Sequence, residues 1–89
     1  MITLERWKKI SARDQMGHIA SEIARANLIK DKNSETFRLI LERALALTDL
    51  SLNDKKWLDN PLSLLILRNE LAEAYLNNNK NLENLYAAF

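Results

Sequence analysis

The chain is predicted to be all-α, an antiparallel three-helix bundle with short extra helical segments at the termini. Three observations carry this. One glycine and one proline in 89 residues are too few to build the tight turns of an all-β domain. The composition is rich in Leu, Ala, Glu, Lys and Arg, which are strong helix formers. Apolar residues recur at three-to-four spacing along three long stretches. Eighty-nine residues support one core and not two, so residues 1–89 form a single predicted domain.

Residues 1–10 read as a short helical lead-in, with Leu4, Trp7 and Lys8 three to four residues apart. Ser11-Ala12-Arg13-Asp14 matches the S-x-x-[DE] capping pattern, in which the serine accepts a backbone N–H and the acid reaches back. The first long helix therefore starts at Ala12. Met16, Ile19, Ile23 and Ala26 form its apolar row, flanked by Ala20, Ala24 and Leu28. It fades in the polar stretch Lys30-Asp31-Lys32-Asn33.

Asn33 or Ser34 caps the second long helix, with Glu35 in the first turn where the helix dipole favours an acid. Phe37, Ile40, Leu41, Ala44, Leu45, Leu47 and Thr48 follow at helical spacing, while Leu39, Ala46 and Leu50 lie nearer the opposite side. Ser51-Leu52-Asn53-Asp54 is a second capping-box match. It predicts a break and a short helical turn carrying Trp57 and Leu58, with an unbroken helix as the alternative.

Asn60-Pro61 is the clearest boundary, Asn as N-cap and Pro pre-set for the first helical position. The third long helix runs from there to about Asn77. Leu64, Leu67, Leu71, Ala74 and Tyr75 make its main stripe; Leu65, Ile66 and Ala72 widen it. The asparagines at 77–79 end it, because Asn competes for backbone hydrogen bonds and favours turns. Leu82, Leu85, Tyr86 and Phe89 mark a short amphipathic tail helix.

A net charge of +1 lacks the basic excess of a dedicated nucleic-acid binder, so nucleic acid is not an expected partner. There is no cysteine, which removes disulfides, thiolate chemistry and cysteine-ligated metals and fits a cytoplasmic protein. No secretory signal pattern stands at the N-terminus. The longest apolar run, Leu64-Leu65-Ile66-Leu67, is far short of the ~20 residues that span a bilayer, so no membrane association is expected.

Candidate chemistry centres on Arg13-Asp14-Gln15-Met16-Gly17-His18, which holds the only glycine and the only histidine. Arg13 can fork onto a phosphate and His18 can move a proton near neutral pH. Arg13 and His18 thereby resemble the R-x4-6-H signature of the HEPN family, helical bundles that include RNases and toxins. The resemblance implies phosphate contact for Arg13, a supporting polar role for Asp14 and acid–base work for His18. It covers six residues and falls near the start of the chain, whereas the family carries it after two or more long helices. The competing structural reading makes Ser11 and Asp14 a helix cap, Arg13 a solvated charge, and Gly17 a point of close backbone approach.

The pairs His18–Glu22 and Glu70–Glu73 read as helix-surface pairs, since one histidine cannot supply the repeated Glu-x-x-His pattern of a carboxylate metal site. No metal and no cofactor are implied. Arg6, Lys8, Lys9 and Arg13 surround Trp7, which either stacks on bases or docks on the bundle.

The apolar surface of the second and third long helices exceeds what one three-helix core needs. The expected function is therefore a protein–protein interaction module that self-associates as a homodimer, burying Leu39, Leu50, Leu62, Leu65 and Ile66, with Phe89 as a further cover. A C-terminal segment folded over that face is the alternative cover. The alternative functions are a HEPN-like RNase or nucleic-acid-binding protein built on Arg13 and His18, and an accessory subunit whose unidentified protein partner supplies the chemistry.

Overall fold

The structure, a computed structural model, describes residues 2–78, 82 and 85. Helix α1 spans Leu4–Lys8, α2 Ala12–Ile29, α3 Ser34–Leu52 and α4 Leu62–Asn77, with a single 3-10 turn at Lys55–Trp57 between α3 and α4. Helix α3 is the middle of the bundle, packing on α2 along one side and on α4 along the other. The all-α, three-helix reading therefore holds.

Asn33 forms its cap as expected, and Ser11 forms the serine half of its capping box without the return bond from the Ser11 N–H to Asp14. The Ser11 hydroxyl accepts the Asp14 N–H at 3.1 Å, and the Asn33 side-chain Oδ1 accepts the Thr36 N–H at 3.0 Å. Each satisfies a first-turn donor that has no partner inside the helix. At α4 the boundary moves by one residue. Pro61 takes the capping place rather than the first helical position, and its carbonyl accepts the Leu65 N–H at 3.0 Å. No side chain caps this helix, so Asn60 does not do so. Asn78 closes α4 in the left-handed region at φ 50°, a conformation Asn tolerates better than most residues.

Ser51 is a correction. The sequence predicts it as the N-cap of a new turn, but it lies inside α3, fully buried, and its hydroxyl donates to the Leu47 carbonyl at 3.1 Å. A serine that bonds back four residues has no need to end its helix. The cap of the following turn is Asp54, whose Oδ1 accepts the Lys56 N–H at 3.1 Å.

The core is continuous. Ile19, Ile23 and Ala26 of α2 meet Phe37, Ile40, Leu41 and Ala44 of α3 and Leu64, Leu67, Leu71 and Ala74 of α4. Leu82 and Leu85 join it, each buried to the same extent as the helix residues. Leu82 and Leu85 of the tail thus pack into the bundle. Tyr86 and Phe89, the rest of that stripe, lie outside the described residues. No described helix is long and apolar enough to cross a membrane.

Between α3 and α4 the outer edge of the seam is polar. Arg68 Nε donates to Asp49 at 2.6 Å and the Tyr75 hydroxyl donates to Glu42 at 2.6 Å. The Arg38 guanidinium lies 4.8 Å over the Tyr75 ring. Such exposed pairs contribute little energy each, but they fix the relative height of the two helices.

Candidate functional site

The six-residue stretch at the start of α2 divides by face. Arg13, Asp14, Gly17 and His18 are exposed, Met16 is half-buried, and Gln15 is fully buried. Asp14 and His18, four residues apart and so on one side of the helix, line an open groove of about 610 Å³ with Lys9, Ile10, Ser11, Gly17 and Ser21. Arg13 is not part of this groove. The five-residue step from Arg13 to His18 turns the helix through about 140°, so the pair is not brought together. The His18 ring packs on Trp7, with centroids 5.8 Å apart and planes tilted by 53°. No close approach is made at Gly17 among the described residues: a methyl group placed on its α-carbon would meet nothing within 4 Å.

Trp7 is 1% exposed, so it cannot stack on a nucleic-acid base, and the basic residues around it are a solvated rim on a docked anchor. Its indole N–H donates to Ser51 Oγ at 2.8 Å. This bond belongs to a buried polar clasp that the sequence does not advertise. Gln15 Nε2 donates to the Trp7 carbonyl at 2.8 Å and to Asp54 Oδ2 at 3.0 Å, while Gln15 Oε1 accepts the Trp57 indole N–H at 2.6 Å. Lys56 Nζ also pairs with Asp54 Oδ2 and donates to the Lys8 carbonyl at 2.9 Å. One glutamine thus ties α1, α2 and the 3-10 turn together. Its two donor bonds are buried, in a low-dielectric setting where an unpaired polar group would be costly.

Among the described residues Asp54 is the one strongly shifted acid. Burial pushes its carboxyl up, but the hydrogen bonds from the Lys56 side chain, from Gln15 and from the Lys56 backbone N–H, with the Lys56 charge, outweigh burial and hold it at about 2 against an ordinary 3.8. Because the folded value is depressed, the charged Asp54 stabilises the fold above pH 3.8, and that contribution is lost as pH falls from 3.8 toward 2. Urea midpoints measured across this window are expected to fall with acid in the wild type. In Asp54→Asn the fall should be smaller; equal slopes in the two proteins would remove Asp54 from the acid response.

Glu22 is a half-buried carboxylate on α2. Its Oε1 accepts from Arg25 at 3.3 Å, and Arg43 stands 3.9 Å from Oε2, which is buried and has no hydrogen-bond partner among the described residues. The exposed arginines at either side leave it in ordinary surface pairs. His18 does not pair with Glu22. No group of three or more metal-ligating side chains gathers among the described residues.

The apolar residues predicted to lie outside the core fall into two patches. Leu62, Leu65 and Ile66 are exposed on α4, joined by Leu58 just before it. Leu39 is exposed on the outer side of α3, and Leu50 is half-buried beside a cavity of about 360 Å³ that it shares with Ile2, Ala46 and Leu47. The Asp49–Arg68 and Glu42–Tyr75 bonds run between the two helices, so the patches do not form one apolar face. Phe89 lies outside the described residues. No family model matches this chain, and no curated protein or solved structure matches it significantly.

Proposed function

We propose that this protein is a small interaction module that associates with itself through the outer face of α4. One observation supports this reading most directly. Leu58, Leu62, Leu65 and Ile66 fall within nine residues and are 70%, 62%, 50% and 42% exposed. A lone exposed leucine is ordinary, whereas a contiguous apolar patch on a small domain marks a binding surface. The inner face of α4 is already filled by Leu64, Leu67, Leu71 and Ala74, so these side chains have no place in the core of their own chain. A second copy is the simplest cover, because twofold pairing is the commonest symmetry of small oligomers.

Sedimentation velocity over a wide concentration range tests this. The wild type is expected to shift from monomer to dimer as concentration rises. Leu65→Glu should stay monomeric at every concentration while keeping its helical circular dichroism, since the site is half-exposed and makes no core contact. A wild type that stays strictly monomeric sinks the proposal. Reproducible RNA cleavage abolished by His18→Ala would favour the nuclease reading instead.

A further inference from the structure

We infer that the second copy pairs with α4 in a parallel, in-register arrangement, so that α4 is both a bundle helix and half of a short two-stranded coiled coil. This rests on the self-association reading and names its geometry. Leu62, Leu65, Asn69, Ala72 and Leu76 follow one another at spacings of three, four, three and four. That is the a/d repeat of a coiled-coil seam, averaging 3.5 residues per turn. It lies opposite the inner row of Leu64, Leu67, Leu71 and Ala74. Leu62, Leu65, Asn69 and Leu76 are all exposed, and Ala72 is half-buried. Leu58 is exposed in the turn before α4 and stands outside this repeat.

Two features select the parallel orientation. The first is charge. With Leu62, Asn69 and Leu76 at a positions, Arg68 is a g residue and Glu73 the e residue five positions later. In a parallel pair, g of one chain meets that e of the other, so Arg68 faces Glu73 across the seam twice, once in each direction. A twofold antiparallel pair would set g beside g and e beside e, bringing like charges together. Glu73 is exposed and forms no ion pair among the described residues. Arg68 uses its Nε on Asp49, and its two terminal nitrogens make no hydrogen bond among the described residues. The second feature is Asn69, in the middle of the seam. A single asparagine at an a position sets register and two-stranded pairing, because the two side chains satisfy each other only when they are level. The helix is already ordered by its core face, so two heptads can associate without the nucleation cost that makes a free peptide of this length marginal.

The chain has no cysteine, so single cysteines report on the pairing without ambiguity. Leu62→Cys and Leu76→Cys sit 14 residues apart, about 21 Å along the helix. In a parallel, in-register pair each faces its own copy, and both variants should form disulfide-linked dimers under mild oxidation. An Asn27→Cys control on the exposed side of α2 should not. A twofold antiparallel pair can bring at most one of the two positions to its copy. Glu73→Arg should weaken the wild-type dimer about threefold to tenfold, and adding Arg68→Glu should recover it. If the wild type dimerises but only one cysteine variant or neither cross-links, the parallel α4 seam is overturned while self-association stands. If the wild type is monomeric throughout, both fall.

Discussion

Gln15→Met is expected to lower stability by about 3 kcal/mol, although the swap nearly conserves volume. Methionine fills the space and removes every hydrogen bond of the Gln15 side chain. The Trp57 indole N–H loses its acceptor, and Asp54 loses one of the donors to its charged oxygen. The Trp7 carbonyl keeps a partner, since the Ile10 N–H also donates to it at 3.1 Å. A stranded donor costs about 1–3 kcal/mol, nearer the low end for the part-buried Trp57 indole, and a lost bond to a charge a comparable amount. A loss of about 3 kcal/mol is a large part of the ~5–15 kcal/mol that holds a domain together. It should lower the urea midpoint by about 1–3 M with an unchanged slope. A change below about 0.5 kcal/mol would mean that the clasp contributes nothing net. The variant carries a second signature. Without the Gln15 bond the Asp54 carboxyl moves up toward its ordinary 3.8, so the acid-sensitive window narrows from below.

Trp7→Ala is expected to cost about 3–5 kcal/mol, the range for removing a large buried aromatic side chain. Trp7 is the only buried residue of α1. A five-residue helix has no stability of its own in water, so its docking rests on that one side chain and on the contacts around it. Removing the indole empties the space against the His18 ring and deletes the bond to Ser51. Ser51 is not stranded, because its hydroxyl still bonds the Leu47 carbonyl. The loss is therefore chiefly one of packing. Amide hydrogen exchange should show α1 losing protection while Ile19, Ile23, Leu41 and Leu67 keep theirs. Protection lost evenly over all four helices would instead show that α1 is part of one cooperative unit with the bundle.

These two residues mark where sequence reading works and where it stops. Trp7 is legible because a large aromatic in an otherwise polar, basic segment needs a place to dock. Gln15 is not. It sits one residue before the apolar row that starts at Met16, and a glutamine near a helix start reads as a solvent-facing residue. Its partners Asp54 and Trp57 lie 39 and 42 residues away. No local pattern encodes such a bond. Attention to the rare residue types selected Arg13, Asp14 and His18, which are exposed and of which only the last two share a groove. The structural centre of the same six residues is their least conspicuous member.

The exposed apolar patch on α4 shows the converse. The apolar residues at 65 and 66 widen the helix stripe in sequence, and their excess predicts a surface patch. Their exposure, and the division of the patch on α4 from Leu39 and Leu50 on α3, become visible only when the Asp49–Arg68 and Glu42–Tyr75 bonds are seen to lie between the helices.

The three long helices, the short α1, the caps at Ser11 and Asn33, the end of α4 at its asparagines and the core face of each long helix are legible in the sequence alone. These depend on interactions within about four residues, where hydrophobic period and side-chain capping act directly. Only the tertiary structure decided that Ser51 continues its helix, that Gln15 is the buried hub, that Leu82 and Leu85 complete the core, and which apolar side chains stay outside it. Each of those outcomes is set by groups far apart in the chain, and burial decides among local alternatives that are nearly equal in energy.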